Sequence, residues 1–237
     1  MKLSFVVPAH NEESLIDATV RSIDAAAKAS GRDYEIIVVD DASTDGTAKV
    51  AEAAGATVLT ATCRQIAGTR NTGARAATGD ILLFVDADTM IGANIVLAVI
   101  DSIQRGAIGG GAHIQFDPPI PMYAKILLPI VQATNKRIGI LSGCFLFCTR
   151  SAFDAVGGYN ETVYAAEEAF FSRALKREGP IITLNETVVT SGRKLRTYSA
   201  WELLSTLARL ALRGTRGVRH RENLSLWYGP RREDPKQ

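Results

Sequence analysis

Short runs of consecutive apolar residues alternate along the first hundred positions with segments in which apolar residues recur every three or four positions. The runs predict buried strands at 3–7, 35–39, 57–60 and 80–85, and the periodic segments predict helices at 12–28, 43–54 and 66–77. Ser43 is expected to cap the second helix. Strands of this kind, separated by helices, indicate a parallel sheet that is covered by helices on both faces.

The second half of the chain is less regular. It predicts strands at 107–116 and 140–148, a turn at 118–121, and helices at 94–105, 151–156, 167–178 and 199–213. The expected fold class is therefore α/β: a Rossmann-like, mostly parallel sheet with helices on both faces, followed by an amphipathic C-terminal helix.

Composition narrows the class of protein only slightly. A hydrophobic content of 46% and a charged content of 22% are ordinary for a globular domain. No apolar run approaches the roughly 18 residues of a membrane-spanning helix, and the N-terminus resembles a strand more than a signal peptide. The expected location is the cytoplasm. Cys144 and Cys148 lie in a predicted strand, without partners at zinc-binding spacing, and are expected in the core.

Positive charge is concentrated near the C-terminus, where 193–221 contain eight basic residues and one acid, Glu202. The helix predicted there has a broad apolar side, formed by Trp201, Leu203, Leu204, Leu207, Leu210, Ala211 and Leu212. Two interpretations stay open. The helix packs on the sheet, or 199–221 form a peripheral contact with an anionic membrane surface, at the inner face of the membrane.

Polar residues collect directly after three of the predicted strands. Asp86 and Asp88 follow an apolar strand, and their spacing lets both carboxylates leave one face of the chain. Parallel sheets bind ligands beyond the carboxyl ends of their strands, and carboxylate oxygens suit Mg²⁺ or Mn²⁺. We therefore predict a metal site here; the alternative is a pair of turn-forming and helix-capping acids.

Two adjacent carboxylates, Asp40 and Asp41, follow the second strand. Such side chains accept hydrogen bonds from a base imide N–H or a ribose hydroxyl. Helix capping explains the nearby Ser43 and Asp45, but it does not explain two acids ahead of them. The pair is therefore a candidate nucleotide contact.

These segments together resemble family 2 of the nucleotide-sugar glycosyltransferases. The resemblance rests on Val6-Val7-Pro8-Ala9-His10-Asn11-Glu12-Glu13, on 35–47 with Asp40-Asp41-Ala42-Ser43, on Arg70-Asn71-Thr72-Gly73-Ala74, and on 76–88 with Asp86-Ala87-Asp88. It extends over roughly residues 3–190. Each motif alone is weak, whereas their order and combination are specific.

The resemblance implies a glycosyltransferase A-type fold and a set of nucleotide contacts. These contacts are Pro8, Ala9, His10, Glu12, Asp41, Arg70, Asp86 and Ala87, with Asp41 reading the base and Asp86 facing the ribose. Asp88 would be the direct ligand of Mn²⁺ or Mg²⁺, with help from Asp86. For His10, a simple surface position is the alternative.

Gly157-Gly158 followed by the acidic pair Glu167-Glu168 resembles the family's Gly-Gly turn and Glu-Asp pair. Glu168 replaces the expected aspartate, so the resemblance implies that it is the general base; the alternative is an acid that favours a helix N-terminus. Arg193 and Lys194 resemble a basic segment that would clamp the diphosphate, and a solvated basic tail is the alternative.

The expected function is thus an inverting, divalent-metal-dependent glycosyltransferase that uses a nucleoside diphosphate sugar. Its acceptor hydroxyl belongs to a lipid-linked, glycan or small-molecule substrate, and no nucleic acid is involved. Residues 1–192 would form the catalytic domain, with a nucleotide-binding half (1–105) and an acceptor half (106–192), and 193–237 a basic helix and tail. The alternatives are a catalytically inactive nucleotide-sugar-binding partner and a sugar-phosphate nucleotidyltransferase.

Overall fold

The computed structural model describes residues 1–229 and 234, and their side chains except those of 135, 136, 138, 207, 211, 212, 215, 216, 223 and 225. The strands are β1 (Leu3–Ala9), β2 (Tyr34–Asp41), β3 (Thr57–Ala61), β4 (Ile81–Val85), β5 (Thr89–Met90), β6 (Gly109–Phe116), β7 (Phe145–Thr149) and β8 (Ile181–Thr190). The helices are α1 (Ile16–Ala29), α2 (Thr47–Ala53), α3 (Ile66–Ala76), α4 (Ala93–Gln104), α5 (Met122–Ile138), α6 (Arg150–Val156), α7 (Glu167–Glu178), α8 (Arg193–Thr197), α9 (Ala200–Gly217) and α10 (Ser225–Tyr228). The tail expected past residue 229 lies outside the described residues, apart from Asp234.

All of these strands belong to one sheet in the order β3-β2-β1-β4-β7-β6-β8-β5. The first four strands in that order are parallel, and β6 is parallel to β8; β7 runs antiparallel to both of its neighbours, and β5 runs antiparallel to β8. The predicted fold class is confirmed as an α/β fold built on a mostly parallel sheet. Because β1 and β4 are neighbours, the ends of β2, β1 and β4 meet at one edge.

Strand β4, in the middle of the sheet, is buried on both faces. Along β4, Ile81, Leu83 and Val85 join one hydrophobic cluster, while Leu82 and Phe84 join a second cluster on the other face. Since successive strand residues point to opposite faces, an unbroken apolar run supplies both clusters at once. This is why the strand pattern near residue 80 is continuous rather than alternating.

The structure corrects one predicted helix start. Helix α2 begins at Thr47 with Gly46 at the N-cap position, and Ser43 does not cap it. The Ser43 hydroxyl instead accepts a hydrogen bond from the backbone N–H of Asn11 at 2.9 Å. Ser43 therefore ties the loop after β2 to the loop after β1, and this contact between loops outweighs its local capping preference.

Several elements of the second half had no prediction from the apolar pattern. Strand β8 completes the sheet beside β6, and α8 follows it directly. Helix α5 occupies the segment after the predicted turn at 118–121, although it contains Pro129. Its apolar residues lie on more than one side, so helical periodicity does not reveal it.

Helix α9 starts as predicted. The Ser199 hydroxyl accepts from the backbone N–H of Glu202, and the Glu202 side chain accepts from the backbone N–H of Ser199, which is a capping box. Leu203 and Thr206 are buried, whereas Trp201 and Leu204 are exposed. The side chains of Leu207, Ala211, Leu212 and Arg216, which the predicted apolar and basic faces include, lie outside the described ones.

Two expectations drawn from composition can be compared with the described residues. Cys144 and Cys148 are buried in the core, as predicted, and Cys63 is exposed. No helix in the described part of the chain has both the length and the apolar character needed to cross a membrane.

Candidate active site

A cavity of about 480 Å³ opens at the edge where β1, β2 and β4 end. Its wall is formed by Pro8, Ala9, His10, Asn11, Glu12, Asp41, Arg64, Gln65, Ile66, Thr69, Asp86, Ala87, Asp88, Arg193, Lys194, Thr197, Tyr198, Leu226, Trp227, Tyr228 and Gly229. Ten of the predicted site residues are in this set. The predicted residues outside it are Arg70 and Glu168.

Asp41 is held in place by the start of α3. Its Oδ1 accepts a hydrogen bond from the backbone N–H of Arg64 at 2.8 Å, and its Oδ2 accepts from the N–H of Gln65 at 3.0 Å and the hydroxyl of Thr69 at 2.8 Å. These bonds fix the carboxylate at the cavity wall. Because a carboxylate oxygen has two lone pairs, Oδ1 can still accept an N–H from a ligand.

Asp40 points away from this wall. Its Oδ1 is buried and has no hydrogen-bond partner among the described residues. The strand alternation that sends Asp41 to the cavity necessarily sends its neighbour to the other face of the sheet. Of the two adjacent carboxylates, only Asp41 lines the cavity.

His10 lies across the same end of the cavity. Its Nδ1 is 2.8 Å from the carbonyl oxygen of Asp41, and the guanidinium of Arg64 contacts its ring. The imidazole is therefore held between the loop after β1 and the start of α3. Arg64 had no prediction from the sequence; it lies two residues before the start of α3.

Arg70 is buried and does not line the cavity. Its side chain is 1% exposed, and its guanidinium donates to Asp86 Oδ1 at 2.8 Å, Glu167 Oε1 at 2.7 Å and the carbonyl of Gly143 at 2.7 Å. Burial alone would lower the pKa of Arg70, but the carboxylate of Asp86, together with Tyr159 and Glu167, raises it above its ordinary value. Arg70 lies beneath the cavity wall as a link between Asp86 and α7, and its predicted nucleotide contact stays a prediction.

Asp88 lies in a crowded acidic environment. Burial, followed by the negative charges of Glu12 and Asp86, raises the pKa of Asp88 to about 7. Arg193 approaches from α8: it contacts both oxygens of Glu12, at 3.0 and 3.2 Å, and its Nη2 is 3.8 Å from Asp88 Oδ2. Arg193 thus contacts two of these carboxylates, Glu12 and Asp88, whereas Asp86 is bonded to Arg70. The positive charges of Lys194 and Arg193 offset only part of the effect of burial and of the neighbouring acids on Asp88.

These residues fit a divalent cation. Asp86 and Asp88 both line the cavity and supply the hard oxygen atoms that Mg²⁺ and Mn²⁺ prefer. Within the described part of the chain, no three Asp, Glu, His or Cys side chains converge into a closed metal-binding cluster. A site with few protein ligands is the kind that leaves coordination positions for phosphate oxygens.

Glu168 stands at the start of α7, beside the loop that precedes β7. A Cβ atom added to Gly143 would lie 3.5 Å from the carboxyl carbon of Glu168, in ordinary van der Waals contact, so the two residues are close neighbours. Burial, followed by the charge of Glu167, raises the pKa of Glu168 to about 8. Glu168 is connected to the cavity through its neighbour Glu167, which pairs with Arg70.

The C-terminal segment forms a wall of the cavity that no sequence motif predicted. Lys194 Nζ lies 5.7 Å from the ring centroid of Trp227, and the hydroxyl of Tyr228 donates to the carbonyl of Tyr164 at 2.8 Å. The adjacent aromatic residues Trp227 and Tyr228, within a basic part of the sequence, were the feature from which this wall could have been predicted. The C-terminal segment therefore brings two aromatic rings to the cavity, next to Lys194 of α8, whose ammonium group suits a phosphate.

The amino-acid sequence is similar to those of several named sugar transferases. The chain is 36% identical over 155 residues to an undecaprenyl-phosphate 4-deoxy-4-formamido-L-arabinose transferase of Pseudomonas fluorescens, which is 61% of this chain and 45% of that protein. A relative of the same name from Klebsiella pneumoniae matches over 29% of its own length, at 35% identity over 37% of this chain. The chain thus spans less than half the length of these curated relatives.

Among solved structures, the fold is similar to the mannosyltransferase PcManGT from Pyrobaculum calidifontis in complex with GDP-Man and Mn²⁺. The TM-score is 0.70 at 20% identity, over 96% of this chain and 68% of that one. Staphylococcus aureus TarS in complex with UDP-GlcNAc gives a TM-score of 0.65 at 17% identity, over 96% of this chain and 70% of that one.

The sequence profile of glycosyl transferase family 2 matches residues 4–157. That range contains β1 to β4 and the loops that carry Asp41, Asp86 and Asp88. Because the profile covers more than half of the chain, this protein belongs to glycosyl transferase family 2.

Proposed function

We propose that the protein transfers a sugar from a nucleoside diphosphate sugar to an acceptor oxygen, with a divalent cation bound at Asp88 and Asp86. The observation that carries the proposal is the cavity in which Asp41, Asp86 and Asp88 lie together with Arg193 and Lys194. One end offers hydrogen-bond acceptors to a nucleoside, and the middle offers positive charge to a diphosphate. Family membership and the complexes of similar structures support the same donor class.

The donor is expected to lie with its base at Asp41 and its diphosphate near Arg193. Asp41 Oδ1 can accept a base N–H, and the loop with Pro8 and His10 flanks it. Arg193 and Lys194 reach the cavity from α8, and both side chains bind phosphate well. Their position at the cavity supports the proposed clamp on the diphosphate, and the nucleobase and the sugar stay open.

The cation would be held by Asp88 and Asp86, and the repulsion of a charged Asp88 by Glu12 and Asp86, which a bound cation would relieve, supports this assignment. When bound, Mn²⁺ or Mg²⁺ supplies positive charge that stabilises the leaving diphosphate. Asp86 is kept in position by its 2.8 Å bond to the buried Arg70. Arg70 is thus a positioning residue for the metal site.

Glu168 is proposed as the general base. The acceptor hydroxyl oxygen forms a bond to the anomeric carbon, the bond from that carbon to the diphosphate oxygen breaks, and the hydroxyl proton passes to Glu168. A single displacement inverts the anomeric centre. Asp86 and Gly143 bind the same guanidinium, and Glu168 lies beside Gly143; this link between Glu168 and the metal-site residue Asp86 supports the assignment.

A lipid phosphate is the second candidate acceptor, because the relatives are named as undecaprenyl-phosphate transferases. A phosphate oxygen is already anionic at neutral pH and needs no base. The two acceptor classes therefore differ in their dependence on Glu168. Glu168→Gln should leave transfer to a phosphate nearly unchanged and lower transfer to a hydroxyl about 100-fold or more.

Ligand-induced thermal stabilisation tests the donor and metal assignments. With UDP, GDP or a corresponding nucleotide sugar at about 100 Kd together with Mn²⁺, we expect a rise in Tm of roughly 5–10 °C. Asp88→Ala should remove the part of this rise that depends on Mn²⁺, while Asp101→Ala, an exposed acid on α4, should retain it. A rise that is equal with and without Mn²⁺ would contradict the metal site.

Turnover separates the remaining alternatives. A transferase that binds donor should also hydrolyse it slowly, and Asp88→Ala should abolish this hydrolysis. Binding without any turnover would favour a catalytically inactive partner protein. Release of pyrophosphate from a nucleoside triphosphate and a sugar 1-phosphate would favour a nucleotidyltransferase.

A further inference from the structure

Helix α5 presents an apolar face that nothing in the described structure covers. Met122, Ile126 and Ile130 are four positions apart and are 68%, 60% and 59% exposed, and Leu127 and Val131 beside them are exposed as well. Residues four apart lie on one side of a helix, so these side chains form a continuous stripe. Exposed apolar groups of this extent mark an interaction surface.

The exposure of this stripe is not due to a lack of packing, because α5 packs against the rest of the protein. The opposite side of α5 is packed: Ala124 is buried, and the Gln132 side chain donates to the carbonyl of Ile114 in β6 at 2.8 Å. Helix α5 is therefore fixed by its inner side and apolar on its outer side as well. In a surface helix, that outer side would ordinarily be polar.

A second exposed apolar group adjoins it at the start of α9. Trp201 is 80% exposed and Leu204 is exposed beside it. The hydroxyl of Tyr123 in the first turn of α5 donates to the carbonyl of Leu195 in α8 at 3.3 Å, and α9 begins directly after α8. Both helices thus start beside α8, and we call their exposed residues the apolar surface: Met122, Ile126, Leu127, Ile130, Val131, Trp201 and Leu204.

Charge indicates what binds this surface. The segment 118–153 contains four basic residues and no Asp or Glu, and Lys125 and Arg137 on α5 are exposed. Arg209 and Arg213 on α9 are also exposed, while the acid of that helix, Glu202, is engaged in the capping box. Exposed apolar side chains flanked by lysine and arginine match the interface of a bilayer with anionic headgroups.

A second copy of the chain fits this surface less well. In a two-fold symmetric dimer the same surface meets itself, so the basic residues around α5 and α9 would face their own copies. Like charges in such a position oppose association. A bilayer offers the complementary sign over the whole area.

We propose that the apolar surface of α5 and α9 docks the protein on an anionic membrane, with α8 turned toward the headgroups. Because Arg193 and Lys194 of α8 line the donor cavity, docking would bring that cavity to the level of a lipid-borne acceptor. The acceptor statement rests on the proposed function. The docking statement rests only on the exposed residues and their charge.

Vesicle sedimentation with the full chain and no donor tests the docking. Wild type should sediment with vesicles of phosphatidylglycerol and phosphatidylcholine, and less with phosphatidylcholine alone. The Ile126→Glu/Ile130→Glu double variant should lower the partition coefficient at least tenfold. Leu97→Glu, an equally apolar exposed position on α4, should bind as wild type does.

Tryptophan emission gives a second measurement. In a Trp227→Phe background, Trp201 is the remaining tryptophan, and its emission should shift to the blue when anionic vesicles are added. The double variant should still gain Tm with a nucleoside diphosphate, which shows that it is folded and separates membrane docking from donor binding.

Three results would overturn the proposal. The first is that the wild-type protein stays in the supernatant with every vesicle composition. The second is that the double variant and the Leu97→Glu variant bind vesicles equally well. The third is that the wild-type protein binds no vesicles and forms a dimer in analytical ultracentrifugation, and that the double variant does not form this dimer. A protein that docks but transfers no sugar would overturn the proposed function and leave the docking intact.

Discussion

At the scale of single residues, the candidate base differs from the usual family pattern and has an unusual environment. Glu168 replaces the aspartate that the family resemblance implies, and its carboxyl group lies close to Gly143 in the loop before β7. Burial and Glu167 raise the pKa of Glu168 to about 8. At neutral pH a large fraction of this carboxyl group therefore carries its proton.

This environment predicts the pH dependence of hydroxyl transfer. A base acts only when it is deprotonated, so kcat/KM should increase with pH and level off above about pH 8. Glu167→Gln removes the adjacent negative charge and lowers the pKa of Glu168. The rise of kcat/KM with pH should therefore occur at lower pH in this variant. Glu178→Gln, at the other end of α7, should leave it in place. The measurement is kcat/KM from pH 5.5 to 9.5. If Glu167→Gln left the pH dependence of kcat/KM unchanged, this result would contradict the assignment of Glu168 as the base.

At the scale of elements, α3 is the helix that joins the nucleotide loops to the acceptor side. Its first turn holds Asp41, and Arg70 on the same helix holds Asp86 and Glu167. The helix approaches the sheet closely at Gly73, where an added Cβ would lie 2.4 Å from Val6 Cγ1 and 2.9 Å from Val39 Cγ2. The glycine thus sets the distance between α3 and β1.

Gly73→Ala should therefore destabilise the protein despite the better helix propensity of alanine. The added methyl group forces α3 away from β1 and β2, at a cost of about 1–3 kcal/mol in the free energy of unfolding. Thr72→Ala, the neighbouring position on α3, should change stability much less. Urea unfolding of the two variants measures the difference, and equal midpoints would show that α3 moves without cost.

At the scale of the whole molecule, the cavity is assembled from both ends of the chain. The loops after β1, β2 and β4 form one wall, and Leu226 to Gly229 form part of another. Asp234 binds the guanidinium of Arg196 with a shortest N–O distance of 2.5 Å, which ties the C-terminal segment to α8. Donor binding should therefore change the environment of the side chains in the C-terminal segment.

Fluorescence tests this arrangement. In a Trp201→Phe background Trp227 is the remaining tryptophan, and saturating nucleoside diphosphate should quench or shift its emission because the ring lines the cavity. Pyrophosphate, which lacks a base, should have a smaller effect if the base contacts the ring. Trp201→Phe/Trp227→Phe provides the blank, and an emission unaffected by nucleotide would place the donor elsewhere.

The parallel half of the sheet and its acidic edge were predictable from the amino-acid pattern. The apolar runs before Asp41 and Asp86 are local signals, because a strand buried on both faces must be continuously apolar, and strand order then brings their ends together. The family resemblance over the same segments agreed with the fold that formed. Local pattern and family motif therefore sufficed for β1 to β4.

The positions of Arg70, α5 and the C-terminal segment depend on contacts between residues far apart in the sequence. The basic side chain of Arg70 is equally compatible with a phosphate contact and with a buried ion pair, and in the fold it pairs with Asp86, directly after β4, and with Glu167 in α7. Helix α5 is apolar on both sides, so its sequence does not say which side is buried. The return of Trp227 and Tyr228 to the cavity depends on contacts with residues tens of positions away, and no local pattern encodes such contacts.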